Sequence, residues 1–104
     1  MSIEQEFHQA MVGVYIRAKD ECGYNAARFI QMVETLGGLA AARRLLSTDE
    51  AQAGFTELWQ LGRLDITVEC LVLQPRWRTP FSEQELARAR HRLKSLGFDP
   101  TSCE

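Results

Sequence analysis

The stretch GFTELWQLGRLDITVECLVL, Gly54 to Leu73, decides the fold because it holds the densest apolar run in the chain. Phe55, Leu58, Trp59 and Leu61 stand at near-helical spacing. Gly62 then ends that helix, since glycine accepts the left-handed conformation of a helix exit. Asp65 follows as a candidate N-cap, its carboxylate able to accept from an orphan N–H of the next turn. From Ile66 to Leu73 the chain is apolar on nearly every side, so this segment is expected to be buried all round, with the rest wrapped about it. Ile66, Thr67, Val68 and Val72 are β-branched and favour a strand. Helix is the reading adopted, because every neighbouring segment is helical and a lone strand has no partner for its ladder. Pro75 closes the segment by pushing Gln74 out of the α region.

Towards the N-terminus, Ser2 to Cys22 reads as the longest helix, opened by a Ser2/Gln5 capping box and closed by Gly23. Ile3, Phe7, Ala10, Met11, Val14 and Ala18 form its apolar stripe, and Val12 with Ile16 forms a second, smaller strip. Asn25 is the candidate N-cap of a second helix, with Tyr24 and Phe29 placed as a hydrophobic staple. Gly37-Gly38 breaks that helix, and Leu39 to Leu46 makes a third, with Arg43 and Arg44 in its last turn. Residues 47–53 read as a polar loop with Ser47, Thr48 and Asp49 as capping candidates. Beyond the central stretch, RWRTP (76–80) is a connector between two prolines. The last helix carries a Ser82/Glu85 capping box, a Phe81/Leu86 staple, the stripe Leu86, Ala89, Leu93, Leu96, and a Gly97 exit with Phe98 returning on Leu93. Residues 1–98 are expected to form one domain, and 99–104 a frayed tail.

The predicted class is all-α, a compact single-domain bundle of five or six short helices. At 104 residues with 45% hydrophobic and 25% charged side chains, the chain can bury a modest core unaided. A net charge of −2 exerts no global pull on nucleic acid or anionic lipid. No apolar run is long enough to cross a bilayer, and MSIEQEF lacks the features of a secretory signal. The cysteines Cys22, Cys70 and Cys103 are odd in number and widely spaced, which reads as three reduced thiols in a cytoplasmic protein.

The landmarks GYNAARFIQMVETLGG (23–38), GFTELWQLGRLDITVECLVL (54–73) and FSEQELARARHRLKSLGF (81–98) resemble a family of small bacterial helical proteins and domains without an assigned biochemical role. The resemblance covers most of the chain. It implies a helical fold and supplies no catalytic residues to carry over.

Four constellations could carry chemistry. Asp65 and Glu69, four apart, would share a helix face and could hold a divalent metal or act as acid and base. Alternatively Asp65 is an N-cap and Glu69 a buried acid paired with Arg63, Arg43 or Arg44, which makes Gly62, Arg63, Asp65 and Glu69 a structural joint. The structural alternative is adopted, since no further metal ligands lie near in sequence. His8 and His91 lie on helix surfaces without a nucleophile motif, so no catalytic residue, metal or cofactor is assigned. From Arg76 to Lys94 six cations face two acids, a local charge of +4. That region holds Trp77 between Arg76 and Arg78, with Arg88 and Arg92 four apart on the last helix. The fourth constellation is apolar: a small bundle cannot hide Trp59, Trp77, Phe81, Val12, Ile16 and Tyr15 all at once, and Trp77 between two arginines is either an exposed interaction anchor or a cap on one end of the core.

The expected role is therefore a non-enzymatic protein-interaction or adaptor module in the bacterial cytoplasm. Its contact residues would be Arg76, Trp77, Arg78, Arg88 and Arg92, and its partner another protein or a second copy of itself. The alternative is a nucleic-acid-binding accessory protein using the same basic face. No membrane partner is expected.

Overall fold

The order of elements follows the caps. In the computed structural model, which describes residues 2–47 and 53–104, six α-helices are defined: α1 (Ile3–Cys22), α2 (Ala27–Leu36), α3 (Gly38–Ser47), α4 (Ala53–Gln60), α5 (Val68–Val72) and α6 (Glu83–Ser95). Three short 3-10 turns, Leu64–Ile66, Pro75–Trp77 and Pro100–Cys103, link or follow them, and no strand occurs among the described residues. Both capping boxes are made. Ser2 Oγ accepts from the Gln5 N–H at 3.2 Å, and Ser82 Oγ accepts from the Glu85 N–H at 3.1 Å. Gly23 and Gly97 close α1 and α6 in the left-handed conformation, and the Phe98 N–H donates to Leu93 O at 3.0 Å. Thr48 and Asp49 lie outside the described residues.

The β-branched segment is helical. Its N-cap is Thr67 and not Asp65: Thr67 Oγ1 accepts from the Cys70 N–H at 3.2 Å and donates to Leu64 O at 2.7 Å. Asp65 lies inside the 3-10 turn Leu64–Ile66, two residues short of the cap position. All five residues of α5 are buried, so this short helix has no solvent face. Around it sit Phe7 and Met11 of α1, Val33 of α2, Ala41, Ala42 and Leu46 of α3, and Leu86, Ala89 and Leu93 of α6. A smaller cluster, Ala18, Leu58 and Ile66, ties the second half of α1 to α4. The Cα radius of gyration, 12.4 Å, matches the ~13 Å of a compact chain of this length.

Trp77 belongs to this core and is not an exposed anchor. It is 4% exposed and meets Phe7 edge-to-face at 5.4 Å, while Phe7 meets Phe81 at 5.4 Å. Only the outer face of the indole is left, and the Arg76 guanidinium covers it, 4.3 Å from the ring centroid. The cause is the pair of prolines. Pro75 starts a tight turn instead of an open connector, and that turn swings Trp77 inward over α1.

Other expectations shift locally. Asn25 does not cap α2, because its Oδ1 accepts from the Tyr15 hydroxyl at 2.9 Å; Ala26 takes the cap position without a side-chain bond. Tyr24 and Phe29 belong to different clusters and form no staple. Val12 packs on the core, whereas Ile16 is 48% exposed.

Gly38 marks the closest approach of α1 and α3. Its N–H donates to His8 Nδ1 at 3.0 Å, so a side chain from α1 caps α3. A Cβ at Gly38 would sit 2.6 Å from His8 Cα, a backbone atom that can only move with its helix. Gly38→Ala is therefore expected to force the helices apart and destabilise the domain by about 1–3 kcal/mol. A thermal melt would check this, and an unchanged melting temperature would refute the close approach.

The tail is not frayed and the thiols are not all reduced. Cys103 is bonded to Cys70 of α5, and Cys22 is the free cysteine. Pro100 and Cys103 are buried, and Asp99 Oδ1 accepts from the Thr101 N–H at 3.0 Å to start the last turn. The bonded cysteines stand 33 residues apart, a separation that carries no pairing motif. The Gly97 exit turns the chain back toward α5, and that return brings the two sulfurs together.

Candidate interaction surface

The arginines of the basic face expected from the sequence stay exposed or half-buried, but most of them bond to groups of the protein itself. Arg92 Nη1 donates to Leu45 O at 2.8 Å and to Glu69 Oε2 at 3.0 Å, and Nη2 donates to Leu46 O at 3.3 Å. Arg88 Nη1 donates to Leu46 O at 3.1 Å and Ser47 O at 2.8 Å. Two arginines of α6 thus satisfy the final carbonyls of α3 and complement its dipole. Arg78 Nε donates to Leu73 O at 2.8 Å, and its Nη2 lies 2.8 Å from Glu104 Oε1, which also lies 3.7 Å from Arg90 Nε. Arg43, near the end of α3, donates to Pro80 O and lies 3.8 Å from Glu85. Arg76 stacks on the ring of Trp77, so its contact too is intramolecular.

Asp65 and Glu69 do not form a carboxylate pair. Asp65 is exposed on the 3-10 turn, whereas Glu69 is 4% exposed inside the bundle. Burial pushes the Glu69 carboxyl above its ordinary range, opposed by its own backbone hydrogen bond and by Arg92. Its partner is Arg92 and not Arg63, Arg43 or Arg44: α5 faces α6 on that side, and the long Arg92 side chain reaches both α5 and the end of α3. Among the described residues no three His, Cys, Asp or Glu side chains converge as metal ligands.

An open groove of about 660 Å³ separates the N-terminal ends of α1 and α3, with Ser2, Gln5, His8, Leu36 and Arg43 among its lining. Several of its polar groups are already engaged. His8 Nδ1 accepts from Gly38, the Ser2 hydroxyl caps α1, and Arg43 holds Pro80 O.

Leu36 of this lining is exposed, as are Ile3 and Ile16 on α1, but two exposed apolar side chains adjoin one another at the end of α4. Trp59 is 45% exposed and Leu61 44%, both where α4 ends. The Gly62 N–H returns to Trp59 O at 3.0 Å and the Arg63 N–H to Leu58 O at 2.8 Å, so a tight helix exit holds these residues in one place. Phe55 and Leu58 supply the inward side of α4, the first half-buried and the second 5% exposed. The signal was present in the spacing. Phe55, Leu58, Trp59 and Leu61 span a wider arc than a helix of eight residues and its exit can turn inward.

Directly after this exit stands a charged network. Arg63 grips Asp65 with Nε and Nη2, both at 3.0 Å, and reaches Glu21 on α1 at 2.7 Å. Arg17 lies 2.9 Å from Glu21 and 3.4 Å from Asp65. Hydrogen bonds from Arg17 and then Arg63 hold the Glu21 carboxyl below its usual range, and Arg63 does the same for Asp65. Two cations and two anions therefore alternate beside an exposed tryptophan and leucine. Arg63 thus ties the chain after the α4 exit to Glu21 of α1 and to Asp65, whereas Glu69 lies in the core against Arg92.

No protein-family model, curated protein or solved structure matches the chain. Among the described residues no helix is long and apolar enough to cross a membrane.

Proposed function

We propose that the protein is a non-enzymatic interaction module that associates with a second copy of itself through the α4 exit, with Trp59 and Leu61 as the apolar centre. The observation that carries this reading is the exposure of Trp59, 45% of a residue that dominates interface energy when covered. A symmetric dimer places the same patch opposite itself, so a patch of one sign would repel its copy. The network here is neutral and alternating, and a two-fold axis can set Arg17 and Arg63 against the Glu21 and Asp65 of the other copy. The nucleic-acid alternative loses support because Arg78, Arg88 and Arg92 donate to carbonyls and carboxylates of the protein.

Membership of the small helical family belongs to the same proposal, as does a cytoplasmic setting. In a reducing compartment a disulfide is a bond that is made and broken, and Cys70–Cys103 would be of that kind.

The test is a light-scattering mass measured over a concentration series. The parent is expected to pass from monomer to dimer. Trp59→Ala is expected to weaken the dimer by about tenfold or more, since removing an anchor costs about 2 kcal/mol. Its unfolding midpoint should move little, because the indole is half exposed. A parent that stays monomeric throughout the series would overturn the proposal.

A further inference from the structure

Residues 99–104 behave as an acidic strap laid over cations of the body. Glu104 lies against Arg78 and Arg90, and Lys94 adds its attraction to Asp99. Pro100 and Cys103 are buried, and the Cys103 sulfur is bonded to Cys70 in the solvent-free helix α5. The noncovalent hold on this segment is small. It comprises one 3-10 turn, the burial of Pro100, and ion pairs whose side chains are about one-third exposed (33% and 32%), the kind that contributes little in water. Against it stands the conformational entropy of ordering six residues. The body has a different basis: α1, α3, α5 and α6 share the main core, to which the strap adds only Cys103.

We propose that Cys70–Cys103 is a redox latch, which a dithiol reductant opens to release the strap while the helical body stays folded. One thiolate of the dithiol attacks Cys103 Sγ and expels the Cys70 thiolate. The second thiolate then attacks the reagent's own sulfur in the mixed disulfide and expels the Cys103 thiolate. The dithiol leaves as a cyclic or protein disulfide, having given two electrons, and Cys70 and Cys103 each take up a proton. Cys70 remains in α5 as a small buried apolar group. Arg78 and Arg90 lose the Glu104 carboxylate, so opening the latch changes the charge of that face as well as its shape.

Three amides report on the strap: Thr101 to Asp99 Oδ1 at 3.0 Å, Ser102 to Asp99 O at 3.0 Å, and Glu104 to Thr101 O at 3.2 Å. Hydrogen–deuterium exchange would be followed for the oxidised protein, for protein reduced with dithiothreitol, and for Cys103→Ser, with thiols counted by alkylation and mass. Exchange at these amides is expected to rise about tenfold or more on reduction, with α1 and α6 unchanged. Cys103→Ser should exchange as fast without reductant and ignore its addition. Equal protection in both states would overturn the latch, because the bond would then hold nothing. So would a loss of protection throughout the chain, which would make the bond a staple of the whole domain, or a disulfide that dithiothreitol leaves intact in the folded protein.

Discussion

Trp77→Ala is expected to destabilise the domain by about 3–5 kcal/mol, the usual cost of emptying a large aromatic site in a core. A domain of this size commonly has about 5–15 kcal/mol in total, so the variant should be marginal or unfolded at ordinary temperature. The physical reason is the triple aromatic contact. Phe7 is 0% exposed and holds Trp77 on one side and Phe81 on the other, each at 5.4 Å. Removing the indole leaves Phe7 without one of its two edge-to-face ring partners and strips the surface that the Arg76 guanidinium covers. Urea unfolding followed by circular dichroism reads the result. The contrast with Trp59→Ala is the informative part, since the same substitution at an exposed tryptophan should shift the midpoint by a small fraction of that amount. If Trp77→Ala unfolded at the parent's midpoint, the inward placement of the 75–77 turn would be wrong.

The two tryptophans also mark what sequence reading can and cannot reach. Helix ends were legible because their determinants are local: Ser2 with Gln5, Ser82 with Glu85, and Gly23, Gly62 and Gly97 all act within a few residues. The burial of α5 on every side was legible for the same reason, being written in consecutive apolar residues. The sequence leaves Trp59 unplaced and Trp77 open between an exposed anchor and a core cap, because exposure is decided by partners distant in sequence. Trp59 shares a helix with buried residues, yet α4 has too little covering surface for all of them. Trp77 sits between arginines, yet a proline-started turn delivers it to Phe7. The arginines of α6 carry the same lesson. A run of cations looks like a binding face until the carbonyls at the end of α3 and the carboxylate of Glu69 are placed beside it. The disulfide was illegible altogether, because nothing near Cys70 or Cys103 in sequence points to the other.

Arg92→Ala should be the most costly substitution on α6, and its cost should depend on pH. At neutral pH a loss of about 3–5 kcal/mol is expected, the range for removing one partner of a buried ion pair. Two effects combine. Leu45 O and Leu46 O lose a charged donor at the end of α3, and Glu69 loses the guanidinium that opposes its desolvation. Burial already holds the Glu69 carboxyl above its ordinary range, and without Arg92 it should rise further. A carboxyl whose folded pKa exceeds its unfolded value costs nothing where both states are protonated. Its cost appears as pH climbs past the unfolded value of about 4.3 and levels off above the raised folded value. The deficit of Arg92→Ala relative to the parent should therefore shrink on mild acidification and leave only the share due to the lost carbonyl contacts. Glu69→Gln added to Arg92→Ala should recover much of the neutral-pH loss, since it removes the uncompensated charge and keeps the shape. Urea midpoints of parent, single and double variants across mildly acid to neutral pH measure all of this. A deficit of constant size at every pH would mean that Arg92 acts through the α3 carbonyls alone, and that Glu69 does not depend on it for its place in the core.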